Sequence, residues 1–79
     1  MRSRRYLKII ILANICAEGL YARDLVRPVS EEYGDPLTIQ RISNTLSIME
    51  KCGEVRKVPE YASGVLKRYK WFRNDYRGM

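Results

Sequence analysis

The sequence predicts a small α+β domain in which three helices are followed by a two-stranded β-hairpin. Apolar residues recur at helical spacing in three segments before Gly53, and Gly- and Pro-containing turns separate these segments. After Gly53 the pattern changes to two short runs rich in valine and aromatic residues. At 79 residues the chain accommodates one domain. We therefore expect a single domain over residues 1–79, with short basic tails at both ends.

The first helix is predicted over residues 4–17, which contain neither Gly nor Pro, with Ser3 as the N-cap. At about 100° per residue the apolar side chains fall into two stripes. The first stripe comprises Leu7, Ile11 and Ile15. The second stripe, on the far side, comprises Ile9, Leu12 and Cys16, continued by Tyr6, Ile10 and Ala13.

A helix that is apolar on both sides must be covered on both sides, but a small domain has a single core, which covers only one of them. We therefore expect one stripe to pack in the core and the stripe with Cys16 to form a homodimer interface. The alternative is a helix that is sandwiched within its own domain.

The second helix is predicted over residues 22–33, with Leu25, Val29 and Tyr33 on one face. Pro28 is expected to kink or split it, because proline lacks the backbone donor. A turn at residues 34–36 follows, and Gly19 suits the left-handed position that ends the first helix.

The third helix is predicted over residues 38–52, capped by Thr38 or by Asp35, and Gly53 ends it. Its apolar seam comprises Ile39, Ile42, Leu46 and Met49. Its polar face carries short or amide side chains and one arginine: Gln40, Arg41, Ser43, Asn44 and Ser47. Such side chains can donate to and accept from base edges. An ordinary solvated face is the alternative.

The hairpin is predicted from two strands, at residues 54–61 and 65–72, joined by a turn at residues 62–64. In the second strand aromatic residues alternate with basic ones, which gives the strand one basic face. We expect Tyr69 and Trp71 to pack against the core rather than to stack on bases.

Positive charge is concentrated at the two ends of the chain. The whole chain has 15 basic and 9 acidic residues, a net charge of +6. Residues 1–8 carry four positive charges, and residues 67–79 carry five against one acidic residue. A basic excess of this kind is typical of nucleic-acid binding, and a solubilising surface is the alternative.

Composition argues against catalysis and against a metal site. The chain has no histidine, the commonest general base and metal ligand. Its two cysteines, Cys16 and Cys52, lie 36 residues apart and outside any CxxC pair. We expect no enzyme activity, no cofactor and no metal, and we favour buried free thiols over a disulfide.

The apolar block at residues 9–13 is interrupted on either side by Lys8 and Asn14. It is shorter than a signal-peptide core and much shorter than a membrane span. We therefore expect a cytoplasmic protein with no membrane partner.

The order of three helices and a hairpin resembles the winged helix-turn-helix family of DNA-binding proteins. The segment Met49-Glu50-Lys51-Cys52-Gly53-Glu54-Val55 is similar to the Leu-Glu-Lys-x-Gly-x-Val-like end of the recognition helix in winged-helix repressors. The resemblance spans residues 5–72, and small transcriptional regulators of archaea and archaeal viruses are most alike in size.

The resemblance implies a sequence-specific regulator that binds double-stranded DNA, in the host cytoplasm if the protein is viral. No small-molecule effector is evident from the sequence. The third helix would enter the major groove. Arg41 and Asn44 are the first choices for base contacts, and Gln40, Ser43 and Ser47 would assist. The hairpin would be the wing, and its contacts with the backbone or minor groove would come from Arg56, Lys57, Tyr61, Ser63, Gly64, Lys67 and Arg68.

Two other functions remain open on the sequence. The first is a winged-helix protein–protein interaction module in a transcription or replication assembly, for which Ile48 on the third helix could serve. The second is a small basic RNA-binding domain, whose sign would be an exposed platform of Tyr69 and Trp71.

Overall fold

A computed structural model describes residues 4–74, with side chains from residue 6 onward, and the predicted α+β class is confirmed. The elements in chain order are α1 (Arg4–Asn14), α2 (Ala22–Tyr33), α3 (Ile39–Lys51), β1 (Val55–Ala62) and β2 (Val65–Arg73). The predicted cap at Ser3, the side chains of the N-terminal basic tail and residues 75–79 lie outside the described part.

The core forms where the three helices meet the base of the hairpin. Its fully buried side chains come from every helix and from β1: Leu7, Ile11, Leu25, Val29, Ile42, Leu46, Met49 and Val55. Trp71 of β2, 6% exposed, joins the same cluster. The apolar periodicity of the helices thus fixes one shared interior, and the outer faces of α1 and α3 remain on the surface.

Helix α1 ends three residues earlier than predicted. The Asn14 side chain donates to the carbonyl of Ile10 at 2.9 Å and to Glu32 at 2.7 Å. The next backbone N–H, that of Ile15, donates to Leu12 at 3.4 Å, an i→i−3 bond with which the α-helical pattern ends. The stripe of Leu7, Ile11 and Ile15 is buried as one set, whereas Ile10, assigned to the far stripe, is also buried at 6% exposure.

Helix α2 has the predicted bounds, and the prediction that Pro28 splits it is wrong. The bond that Pro28 cannot make would end at the carbonyl of Asp24, which is an exposed residue. Gly34 ends the helix with φ 92° and donates to Ser30 at 2.9 Å. The Ser30 hydroxyl accepts from Leu37 at 3.0 Å, which secures the turn into α3.

Helix α3 begins with the predicted cap, because the hydroxyl of Thr38 accepts from the backbone of Arg41 at 3.1 Å. The predicted seam is wrong at its first member: Ile39 is 50% exposed. Thr45 takes part in the core instead, at 4% exposure. Its hydroxyl donates to the carbonyl of Arg41 at 3.0 Å, so its burial leaves no polar group unpaired.

The hairpin strands pair antiparallel from Val55 opposite Arg73 to Ala62 opposite Val65. Ser63 and Gly64 both have positive φ, the signature of a type I′ turn in a two-residue hairpin loop. A register shift after Glu60 makes Lys67 an extra, unpaired residue of β2.

The segment between α1 and α2 contains a single β-bridge, at Leu20. Leu20 and Trp71 exchange two backbone hydrogen bonds, at 2.9 and 2.7 Å. Gly19 precedes this bridge with φ 84°, and a Cβ there would lie 2.7 Å from the Phe72 ring. The bridge therefore holds the start of α2 against the outer edge of β2.

Both cysteines are free, and both are exposed, so the expected burial of Cys16 and Cys52 is wrong. Cys16 follows the end of α1, and Cys52 is the C-cap of α3, where a small domain has no interior left to cover them. Within residues 4–74, every helix is too short or too polar to cross a lipid bilayer.

Candidate nucleic-acid interface

The outer face of α3 consists of Gln40, Asn44, Ser47 and Lys51, all exposed. Spacings of four, three and four residues place them on one side, opposite the buried positions of the helix. Gln40 donates to the carbonyl oxygen of Asn44 at 3.1 Å. This bond orients the two amides, and it leaves the Gln40 carbonyl and the Asn44 amide nitrogen for an outside ligand.

Arg41 lies at the margin of that face, about 100° around the helix from Gln40. Its guanidinium stands 5.7 Å from the centre of the Tyr33 ring and donates to the Tyr33 hydroxyl at 3.3 Å. In this position Arg41 is directed towards the end of α2. A contact with the centre of a ligand seated on α3 would require the side chain to leave Tyr33.

The opposite margin of α3 faces the hairpin across a groove of about 490 Å³, which we call the wing-side groove. Its helical wall comprises Ile39, Ser43 and Ser47 of α3. Its other walls come from the start of α2 and from the hairpin: Tyr21, Ala22, Arg23, Lys57, Lys67, Arg68, Tyr69 and Trp71. Hydroxyl groups and cations thus face each other across an open channel.

Lys57 and Lys67 are two of the cations that line this groove. Lys57 is half-buried, with its ammonium 4.5 Å from the centre of the Tyr69 ring and 3.8 Å from Glu50. The pair neutralises Glu50, an acidic residue next to the outer face of α3. Lys67 is exposed at the register shift of β2. The two lysines therefore flank the groove at different heights along the hairpin.

Arg56 and Arg68 are engaged within the protein. Arg56 lies 4.8 Å from the centre of the Phe72 ring, on the side of the hairpin that meets the end of α1. Arg68 donates through Nε to Glu60 at 3.1 Å, and its guanidinium carbon lies 3.9 Å from the centre of the Tyr21 ring. Of the four predicted backbone-binding cations, Arg56 is thus remote from the groove, whereas the other three line it.

The tip of the hairpin is apolar and exposed. Tyr61 is 64% exposed, Val65 57% and Leu66 43%, around the turn at Ser63 and Gly64. The predicted tip residues thus stand at the far end of the hairpin, away from α3. Trp71 packs in the core as predicted, whereas Tyr69 remains 37% exposed.

The predicted dimer face of α1 is exposed at two of its three positions. Ile9 is 58% exposed and Cys16 is exposed, whereas Leu12 is half-buried against the core. Tyr6, 46% exposed, extends this apolar face.

Sequence reasoning missed three contributors to this surface. Lys51 completes the outer face of α3, and its spacing of four residues from Ser47 was a usable signal. Tyr21 and Arg23 reach the wing-side groove because the bridge at Leu20 brings the start of α2 to the hairpin. A contact between segments so far apart in the chain leaves no periodic signal.

No protein-family model and no curated protein matches the chain. Among solved structures, the fold is similar to that of a PadR family transcriptional regulator from Eggerthella lenta DSM 2243, with a TM-score of 0.69 and 19% sequence identity. The match covers 91% of this chain and 62% of that chain, so this chain spans less than two thirds of the neighbour's length. The fold is a winged helix.

Proposed function

We propose that this winged-helix chain is a sequence-specific double-stranded DNA-binding protein that regulates transcription in the cytoplasm. One observation carries the proposal: the outer face of α3 combines two amides, a hydroxyl and a lysine, beside a groove with cationic walls. Side chains of this kind read base edges, and cations at the rim neutralise phosphates.

In the proposed complex α3 lies in the major groove. Asn44 and Gln40 match the donor and acceptor pair of adenine, and their mutual hydrogen bond orients the amides before binding. Ser43 and Ser47 contact base edges or phosphates along the wing-side groove. Arg41 pairs with guanine or a phosphate after leaving Tyr33.

The hairpin acts as the wing on the adjacent backbone or minor groove. Lys57 and Lys67 neutralise phosphates, with Arg68 beside them and Arg56 further back. Tyr61, Ser63 and Gly64 approach the minor groove at the tip. Support comes from the structural neighbour, which is described as a transcriptional regulator.

The same proposal includes a homodimer. Ile9, Leu12 and Cys16 of α1 would meet a second copy, because a closed two-fold contact covers the apolar face on both subunits. Such a dimer would present two α3 helices to half-sites about one helical turn apart.

A protein–protein interaction module is the second candidate, favoured by the apolar hairpin tip at Tyr61, Val65 and Leu66. RNA binding receives less support, since burial of Trp71 leaves Tyr69 without a partner ring for a stacking platform.

A selection from random duplexes, with single-stranded and duplex RNA as competitors, tests the proposal. We expect enrichment of one duplex motif that RNA does not displace. Recovery of no motif would reject sequence-specific binding, and displacement by RNA would favour the RNA-binding alternative.

A further inference from the structure

Tyr21 connects the helical body to the hairpin beyond the core. The antiparallel bridge between Leu20 and Trp71 fixes the residue before Tyr21 to β2, so the Tyr21 ring stands against the side chains that precede Trp71 in that strand. The Tyr21 hydroxyl donates to Glu60 Oε1 at 2.8 Å. The same oxygen accepts from Arg68 Nε at 3.1 Å, and the Arg68 guanidinium covers the Tyr21 ring at 3.9 Å.

These three residues form a closed set of contacts, because each one touches the other two. Glu60 and Arg68 face each other across the strand pair, next to the register shift, and Lys70 approaches the Tyr21 ring at 5.6 Å. The hydrogen bond from Tyr21, and then that from Arg68, holds the pKa of Glu60 below its usual value. The bond to Glu60 raises the pKa of Tyr21. At neutral pH the set therefore consists of a carboxylate, a phenol and a guanidinium.

An acidic residue beside the wing-side groove is unfavourable for DNA binding, so its presence there requires another role. Glu60 touches two residues that line the wing-side groove, and its charge would repel a phosphate there. Its contacts are intramolecular and join the hairpin to the body. Geometry thus favours a positioning role for Glu60 over a role in binding.

The length of the hairpin converts a small change of angle at its base into a large displacement of its tip. Val55 and Trp71 anchor its base in the core, but Tyr61, Val65 and Leu66 at the tip are exposed. Leu66 lies five positions before Trp71 in β2, a length of roughly 16 Å at the rise of a strand. A rotation of about 15° at the base would therefore move the tip by roughly 4 Å, more than the length of a hydrogen bond.

We propose that Tyr21, Glu60 and Arg68 form a clamp that fixes the angle between the hairpin and α3, and so positions the wing for duplex DNA. This inference rests on the proposed function. Arg68 then acts mainly as a positioning residue and only secondarily as a phosphate contact, because its Nε donates to Glu60. Lys57 and Lys67 remain as the groove cations that meet the backbone.

The clamp itself is tested without DNA by residual dipolar couplings. Tyr21→Phe removes the hydroxyl but keeps the ring, and Glu60→Gln removes the charge but keeps an acceptor. Glu31→Gln, an exposed acid on α2, is the matched charge control. In wild type and in the control, one alignment tensor should fit the helices and the hairpin together. In both clamp variants the hairpin should require its own tensor. A single tensor that fits the clamp variants as well would overturn the clamp.

Duplex binding of the same proteins tests the positioning role. We expect Tyr21→Phe and Glu60→Gln to weaken specific binding about fivefold to tenfold, the size of one lost hydrogen bond. The dependence of affinity on salt should not change, because the wing still makes its phosphate contacts in the bound state and only its orientation in the free protein is lost. Glu31→Gln should bind like wild type.

If Glu60 merely repels DNA, Glu60→Gln will bind more tightly than wild type, and the positioning role is rejected. The positioning role is also rejected if the dipolar couplings of the clamp variants change but their affinity for duplex DNA does not fall. A wild-type protein that binds no duplex rejects the proposed function instead, while the dipolar couplings still decide whether the clamp holds the hairpin.

Discussion

Helices α1 and α3 both contribute to the core but differ on their outer sides. Leu7 and Ile11 of α1 and Ile42 and Leu46 of α3 are all fully buried. The outer side of α1 is apolar, with Ile9 58% exposed. The outer face of α3 instead presents amides, a hydroxyl and a lysine.

The difference separates two kinds of partner. An exposed apolar face gains free energy by being covered, so it suits a protein surface such as a second copy of the chain. A face of short polar side chains gains little from burial alone, and it suits a ligand that offers donors and acceptors. The inner faces of the helices explain the fold, and the outer faces carry the information about function.

The largest effect is expected inside α3. Leu46→Ala removes a fully buried side chain and should lower the free energy of unfolding by about 2–5 kcal/mol. Ile39→Ala, at a half-exposed position of the same helix, should cost less than about 1 kcal/mol. Urea denaturation followed by circular dichroism measures both. Equal losses would mean that Ile39 belongs to the core after all.

The outer side of α1 is tested by association. Ile9→Asp should convert a dimer to a folded monomer, because each buried side chain of this size contributes about 1.5–3 kcal/mol per subunit. Ile11→Asp, directed into the core, should unfold the protein instead. Sedimentation velocity with a circular dichroism check distinguishes these results. A folded wild type that stays monomeric at high micromolar concentration would refute the dimer.

The outer face of α3 is tested by specificity. Asn44→Ala should weaken binding to the selected duplex by about 1–3 kcal/mol and relax the choice of base at one position. Arg41→Ala should act in the same way if its guanidinium leaves Tyr33 for a base. Lys67→Ala should weaken all duplexes alike, because a phosphate contact carries no sequence information. Identical behaviour of the two classes in competition assays would exclude α3 as the reader.

The smallest effect is expected at the hairpin, where stability should depend on pH through Glu60. The folded state lowers the pKa of Glu60 from its usual value of 4.5. The ionised carboxylate therefore stabilises the fold fully at pH values above that usual pKa. This contribution is lost as the pH falls through the lowered value. The melting temperature of Glu60→Gln should therefore lie below that of wild type at pH 7 and approach it in acid. A difference that does not change with pH would contradict the hydrogen-bonded carboxylate.

Local patterns predicted most of the fold. The cap at Thr38, the positive φ of Gly19 and the burial of Val29 each follow from residues within one helical turn or one loop. Where the prediction was wrong, tertiary context decided. Ile39 has apolar spacing, yet the groove leaves it exposed. Pro28 is tolerated because the carbonyl that it leaves unbonded belongs to an exposed residue.

The candidate site was predictable only in part. The polar residues of α3 are visible in the sequence, since they stand apart from the apolar seam. Their orientation is not visible, because Arg41 turns towards Tyr33 through a contact between helices. The link from Tyr21 to Glu60 joins residues 39 positions apart, and nothing in either segment signals it.

The most direct test of the central claim is a titration of wild type with its selected duplex over a series of salt concentrations. Four to eight phosphate contacts predict a log–log slope of about −4 to −7 per subunit, since each contact releases condensed counterions. That slope, together with a duplex preference that persists at the highest salt, is the result expected for α3 in the major groove with the wing on the backbone. A slope near zero would contradict the DNA-binding account and favour a protein partner for this winged helix.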